Sequence, residues 1–118
     1  MKFLKNDSSP WQDKGDYSKK VFLTAADLGH PGAQIQELKI KPGAVCADHY
    51  HKIQTEIFYF TKTNGWFEVN GKKINLAPGD VLVIEPNDRH RAGNESDTDF
   101  VYIGFKLNYP GSGDFYNS

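Results

Sequence analysis

Short runs of β-branched and aromatic residues, broken every few positions by Gly, Pro, Asn or Asp, fill most of this chain and leave no room for a long helix. Strands are predicted over 21–23, 33–40, 44–51, 56–63, 65–69, 72–76, 80–84, 90–93 and 99–107. Asn70-Gly71 is a two-residue hairpin signal, because both residue types tolerate the positive φ of a type I′ turn. Only 24–28 offers a helical turn. Many short strands without an amphipathic helix predict an all-β sandwich or barrel.

A chain of 118 residues supports one core, and 38% hydrophobic with 25% charged residues suits a globular domain. Residues 1–20 are polar and read as an N-terminal arm, anchored through Trp11 and Tyr17 to the barrel or to a neighbouring subunit. Residues 21–108 form the single barrel domain, and 109–118 a Gly- and Ser-containing C-terminal tail expected to fray. A net charge of −1 argues against nucleic acid and against an anionic membrane surface as partners. No apolar segment has the length of a bilayer span, and 1–20 lacks a signal-peptide hydrophobic region, so a cytoplasmic location is expected. The single Cys46 cannot form an intramolecular disulfide.

Three of the four histidines fall with a carboxylate into one pattern: His49, His51, Glu56 and His90. Strand alternation puts His49 and His51 on one face, with Cys46, Asp48 and Tyr50 on the other. After a turn, Glu56, Phe58 and Phe60 share a face, which sets a carboxylate beside two imidazoles among aromatic rings. An isolated buried carboxylate is costly, and a divalent cation would keep it ionised. Imidazole and carboxylate ligands accept Fe, Mn, Ni, Cu or Zn, so the expected cofactor is one divalent transition metal of undetermined identity. His90, Ala92 and Asn94 share a face of a later strand, making Asn94 a candidate to hydrogen-bond a ligand. His30 sits in a Gly-Pro turn and reads as a solvated loop residue.

These segments resemble the cupin superfamily. Its first motif, a Gly, five residues, His-x-His, three or four residues and Glu, is met by Gly43, His49, His51 and Glu56. The closing Gly of that motif normally follows after six residues, whereas Gly65 comes after eight, which implies a longer hairpin. In the second motif Gly79, His90 and Asn94 are in register, with Glu85 and Asn87 where Pro and Gly are usual. Asn87 suits that turn because Asn adopts positive φ more readily than most residues. The resemblance implies a double-stranded β-helix (jelly-roll) barrel, one metal held by His49, His51, Glu56 and His90, and a homodimer. In some metal-dependent cupin dioxygenases the carboxylate matching Glu56 acts as a general base, so Glu56 is the candidate catalytic residue.

A small-molecule substrate or ligand is the expected partner. Gln54, Phe58, Phe60 and Tyr102 are candidate pocket residues, although aromatic side chains inside a small barrel usually serve as core. Arg89 and Arg91 flank His90 and should point away from it. The leading function is a small-molecule oxidoreductase of the dioxygenase type. The alternatives are a sugar or phosphosugar isomerase or epimerase, which needs a phosphate site that no Gly-rich loop supplies, and a non-enzymatic small-ligand-binding module.

Overall fold

Ten strands, one short α-helix and a 3-10 turn at Asn6–Ser8 make up the computed structural model, which describes residues 1–117. The strands are β1 Gln12–Asp13, β2 Ser18–Leu23, β3 Gln34–Ile40, β4 Val45–His49, β5 Thr55–Tyr59, β6 Trp66–Val69, β7 Lys72–Ile74, β8 Val81–Ile84, β9 His90–Gly93 and β10 Phe100–Leu107. They form two antiparallel sheets, one ordered β1-β2-β3-β10-β5-β8 and the other β4-β9-β6-β7. Helix α1, Ala25–Leu28, is held by a Thr24/Asp27 capping box and ended by Gly29 at φ 67°. Among the described residues no helix is long and apolar enough to cross a membrane.

The sheets close on each other as a jelly roll around Leu38, Ile40, Phe58, Phe60, Ile84, Phe100 and Tyr102 from the larger sheet and Phe67 and Ala92 from the smaller. Phe60, Phe67, Phe100 and Tyr102 form the aromatic centre, with ring centroids such as Phe100–Tyr102 at 5.0 Å and Phe60–Phe67 at 5.5 Å in tilted or edge-on geometry. Inward residues change character along each central strand. On β3 the buried positions run Gln34, Gln36, Leu38, Ile40, and on β10 they run Phe100, Tyr102, Gly104, Lys106. Antiparallel register sets Ile40 opposite Phe100 and Gln34 opposite Lys106, while Lys106 also faces Glu56 on β5. One end of the barrel is therefore a dry aromatic plug, and the other carries buried polar groups.

Both turn expectations hold. Asn70 and Gly71 have φ of 52° and 78° between β6 and β7, and Asn87 has φ 74° in the turn before β9. The strand expected at 21–23 begins at Ser18, and Lys20 is buried on the outer face under the N-terminal segment. Its Nζ donates to the backbone and side-chain oxygens of Asn6 at 3.1 and 3.0 Å, and the ammonium groups of Lys20 and Lys39 lie over the Trp11 ring at 4.7 and 4.1 Å.

Gly65 sits where the chain crosses the aromatic plug. A Cβ there would lie 1.9 Å from the ring of Phe100, itself fully buried. Gly65→Ala should lower stability by about 1–3 kcal/mol because the ring has no free space to enter. Urea unfolding followed by circular dichroism checks this, and an unchanged midpoint would contradict the packing.

Candidate metal centre

His49, at the end of β4, reaches the barrel interior through a break in strand alternation. Cys46 pairs with Ala92 and His49 with His90, so three steps along β4 match two along β9, an extra residue characteristic of a β-bulge. The bulge alters the face assignment expected from simple alternation. Cys46 turns inward and lines the same cavity as His49 and His51. Burial pushes its thiol up to about 12, with Asp16 and Glu56 adding to the effect, so it is a protonated wall residue.

His51 follows β4, Glu56 lies on β5 and His90 opens β9. All three imidazoles and the carboxylate are buried. Each histidine has Nδ1 against a backbone carbonyl: His49 against Ala47 at 2.8 Å, His51 against Asp114 at 2.5 Å and His90 against Asp88 at 2.9 Å. A carbonyl only accepts, so each Nδ1 carries a proton and Nε2 is the nitrogen left as the ligand atom. The ligand atoms of the three histidines lie within 4.8 Å of one another. Glu56 Oε1 is 2.8 Å from His51 Nε2 and 3.7 Å from His90 Nε2. Three tethered imidazoles whose ligand atoms cluster, two of them beside one buried carboxylate, form a donor set suited to a divalent transition metal.

Burial opposes ionisation of Glu56, but the hydrogen bond with His51, the nearby imidazole of His90 and the charge of Lys106 outweigh it and hold the carboxyl well below its usual range. Burial likewise works against charged His51, yet Glu56 and the Asp114 carbonyl raise it above the ordinary imidazole value. His49 lacks such a partner. Burial and His90 depress it to about 4, despite its bond to Ala47.

The centre stands in the wall of a cavity of about 230 Å³. Gln54, Phe58 and Tyr102 line it. Phe60, also read as a pocket residue, is instead fully buried in the aromatic plug, just past the end of β5 and two residues beyond Phe58. Asn94 is not beside the ligands: its Nδ2 donates to the Ile40 and Thr98 carbonyls, and its Oδ1 accepts from Ser96, tying two loops together. Arg89 pairs with Asp48 and Arg91 with Glu68 at the surface, although Arg91 also borders the cavity.

Two contributors escaped the sequence reading. Lys106 is buried in the cavity wall, its Nζ 2.9 Å from Gln54 Oε1 and 4.0 Å from Glu56 Oε2. Burial lowers its affinity for the proton, while Glu56 and Asp114 support the charged form. The alternation that turns Tyr102 inward also turns Lys106 inward, so the signal was present. The second is the segment expected to fray. Tyr116 exchanges backbone hydrogen bonds with Tyr50, and Phe115 stacks on His49 at 4.6 Å, lining the cavity together with Asp114. Ser118 lies outside the described residues.

Residues 36–105, more than half of the chain, match the Cupin domain family. The chain belongs to the cupin family. This cupin is similar to the oxalate-binding protein of Thermotoga maritima, 26% identical over 90 residues that cover 76% of this chain and 74% of the relative. It also resembles the pectin degradation protein KdgF of Dickeya dadantii, 25% identical over 89 residues covering 75% of this chain and 77% of the relative. Its fold matches the crystal structure of a predicted oxalate decarboxylase from Thermotoga maritima with TM-score 0.80 and 18% identity, covering 91% of this chain and 99% of that one.

The depressed His49 has a consequence for the metal-free protein. Because its folded value of about 4 lies below the unfolded value of 6.5, its stabilising effect is complete above 6.5 and is lost as pH falls toward 4. His51, raised in the folded state, acts in the opposite sense: its contribution is complete below the unfolded value and is lost as pH rises. Metal-free protein should lose on the order of 3 kcal/mol between pH 6.5 and 4 from this group. Urea titrations at the two pH values measure it, and His49→Gln should reduce the difference, the remainder coming from carboxyls such as Glu56 whose folded value is depressed.

Proposed function

We propose that this cupin is a metal-dependent enzyme acting on a small carboxylate-bearing molecule, with His49, His51, Glu56 and His90 as metal ligands. The observation that carries the substrate class is Lys106, a buried ammonium inside the cavity beside that ligand set. Among the described residues it gives one hydrogen bond, to Gln54, whereas an ammonium has three donors. A carboxylate is the ligand group that such a cation suits. The names of the relatives, an oxalate-binding protein and a pectin degradation protein, agree with acidic small molecules.

A bound divalent metal would supply Lewis acidity and open positions for a bidentate ligand. The chain's own groups do the rest. Lys106 holds the ligand's charge, Gln54 orients Lys106, and Phe58, Phe67 and Tyr102 form the dry floor of the cavity. Glu56 is ionised and faces the cavity, so on leaving the metal it is the group placed to take a proton. The dioxygenase reaction is the oxidative version of this reading and rests on the ligand set. Non-oxidative rearrangement of a sugar acid is the second version, favoured by Gln36, Tyr17 and Lys19, which line the cavity with hydrogen-bonding groups. Oxygen uptake during turnover under a redox-active metal separates the two, since only the first consumes dioxygen.

The homodimer belongs to the same proposal. Tyr59, Val81, Val83, Phe105 and Leu107 are exposed together on the outer face of neighbouring strands β5, β8 and β10, which supports pairing with a second copy. Light scattering at micromolar concentration should give twice the mass of one chain.

Protein purified without chelator should carry one equivalent of Fe, Mn, Ni, Cu or Zn, lost in His49→Ala and His90→Ala. Elemental analysis reads this, and wild type that neither carries nor takes up metal would remove the reading. Lys106→Met should weaken oxalate or hexuronate binding to the metal-loaded protein about 10- to 100-fold, the worth of a charged hydrogen bond. Calorimetric titration gives that number, and equal affinities would reject Lys106 as the carboxylate anchor.

A further inference from the structure

The loop between β4 and β5 carries His51, and its Lys52, Ile53 and Gln54 lie outside the strand ladders, so their backbone N–H groups need acceptors from elsewhere. One side chain provides them. Asp114 Oδ1 accepts from Lys52 N at 2.8 Å, and Oδ2 accepts from Ile53 N at 3.1 Å and Gln54 N at 2.9 Å. The backbone carbonyl of the same residue accepts from His51 Nδ1 at 2.5 Å and from Gln54 Nε2 at 3.4 Å. Asp114 thereby binds the whole 51–54 turn at once, and it is only 4% exposed. Burial disfavours its charge, but those three N–H donors and nearby His51 hold the carboxyl below its ordinary value.

The residues on either side complete a clasp. Tyr116 is paired to Tyr50 through N–H···O bonds of 2.8 and 3.0 Å, and its ring stacks on that of Tyr50 at 5.5 Å. Phe115 lies nearly parallel to His49, 17° between planes. Two imidazoles of the metal centre are thus gripped by a segment about 60 residues downstream of them in sequence.

We propose that Asp114 is a positioning residue for the metal centre. By fixing the 51–54 turn and the Nδ1–H of His51, it keeps His51 Nε2 turned toward Glu56, and the affinity for metal is set through that clamp. The clamp also governs Gln54, whose Oε1 receives Lys106, so one carboxylate organises both the metal side and the cationic side of the cavity. This inference rests on the reading of His49, His51, Glu56 and His90 as metal ligands.

The test is titration of metal-free protein with Co²⁺, followed by chelator competition for affinity and by the visible absorption of the saturated site for ligand geometry. Asp114→Ala should bind Co²⁺ about 10- to 100-fold more weakly, as loss of an outer hydrogen-bonding partner of a ligand does, and its saturated spectrum should differ from wild type. Asp114→Asn keeps a neutral acceptor and the backbone carbonyl, so it should fall between them; it also serves if the Ala variant does not fold. Lower melting temperature of the metal-free variants with unchanged affinity and unchanged spectrum would show a merely structural tether and overturn the proposal. Wild type that takes up no Co²⁺ would instead remove the metal centre itself, and the positioning role with it.

Discussion

A carboxylate sealed inside a barrel has to be answered by opposite charge or by hydrogen bonds, and much of this structure is organised around that demand at Glu56. Burial alone would neutralise it. His51, His90 and Lys106 converge from three directions and keep it ionised. Each helper needs its own support, which is why His51 leans on Asp114, His90 on the Asp88 carbonyl and Lys106 on Gln54. The resulting network is polar and preorganised, the condition under which a metal and an anionic ligand can be held without rearranging the protein.

The barrel provides the setting by dividing its interior lengthwise. Inward positions on β3, β5 and β10 pass from Ile40, Phe60 and Phe100 at one end to Gln34, Glu56 and Lys106 at the other. Aromatic packing at the first end supplies stability, and the second end is left with chemistry. Gly104, between Tyr102 and Lys106 on β10, marks the crossover: a Cβ there would sit 2.8 Å from Leu38 and 3.3 Å from Phe58. Its missing side chain lets those residues close over the plug.

Much of the fold was legible because strand alternation and turn chemistry are local. The Asn70-Gly71 hairpin, the positive φ at Asn87 and the paired inward faces of β5 and β10 follow from residue type and a period of two. The four clustered polar residues were legible too, since their spacing carries the cupin resemblance that the family match supports. Where alternation failed, it failed at the β4 bulge. One extra residue opposite β9 turned Cys46 into the cavity, and no single-strand pattern announces such an insertion. Phe60 was assigned to the pocket because alternation tells which face a residue takes but not how deep along the barrel it lies.

By itself the sequence determined an all-β chain, its turns, the residues offered as ligands and the side of each strand on which they stand. These depend on backbone preferences and on neighbours a few positions away. Only the tertiary structure decided that Lys106 faces Glu56, that Phe115 stacks on His49 and that Asp114 holds the His51 turn. Those contacts join segments about 50 to 65 residues apart, and they exist because closing the barrel brings strand ends and the C-terminal segment to one polar mouth. Register and closure are collective properties of packed sheets, so no local reading of 109–117 could reveal that this short, Gly-containing stretch forms a wall of the site.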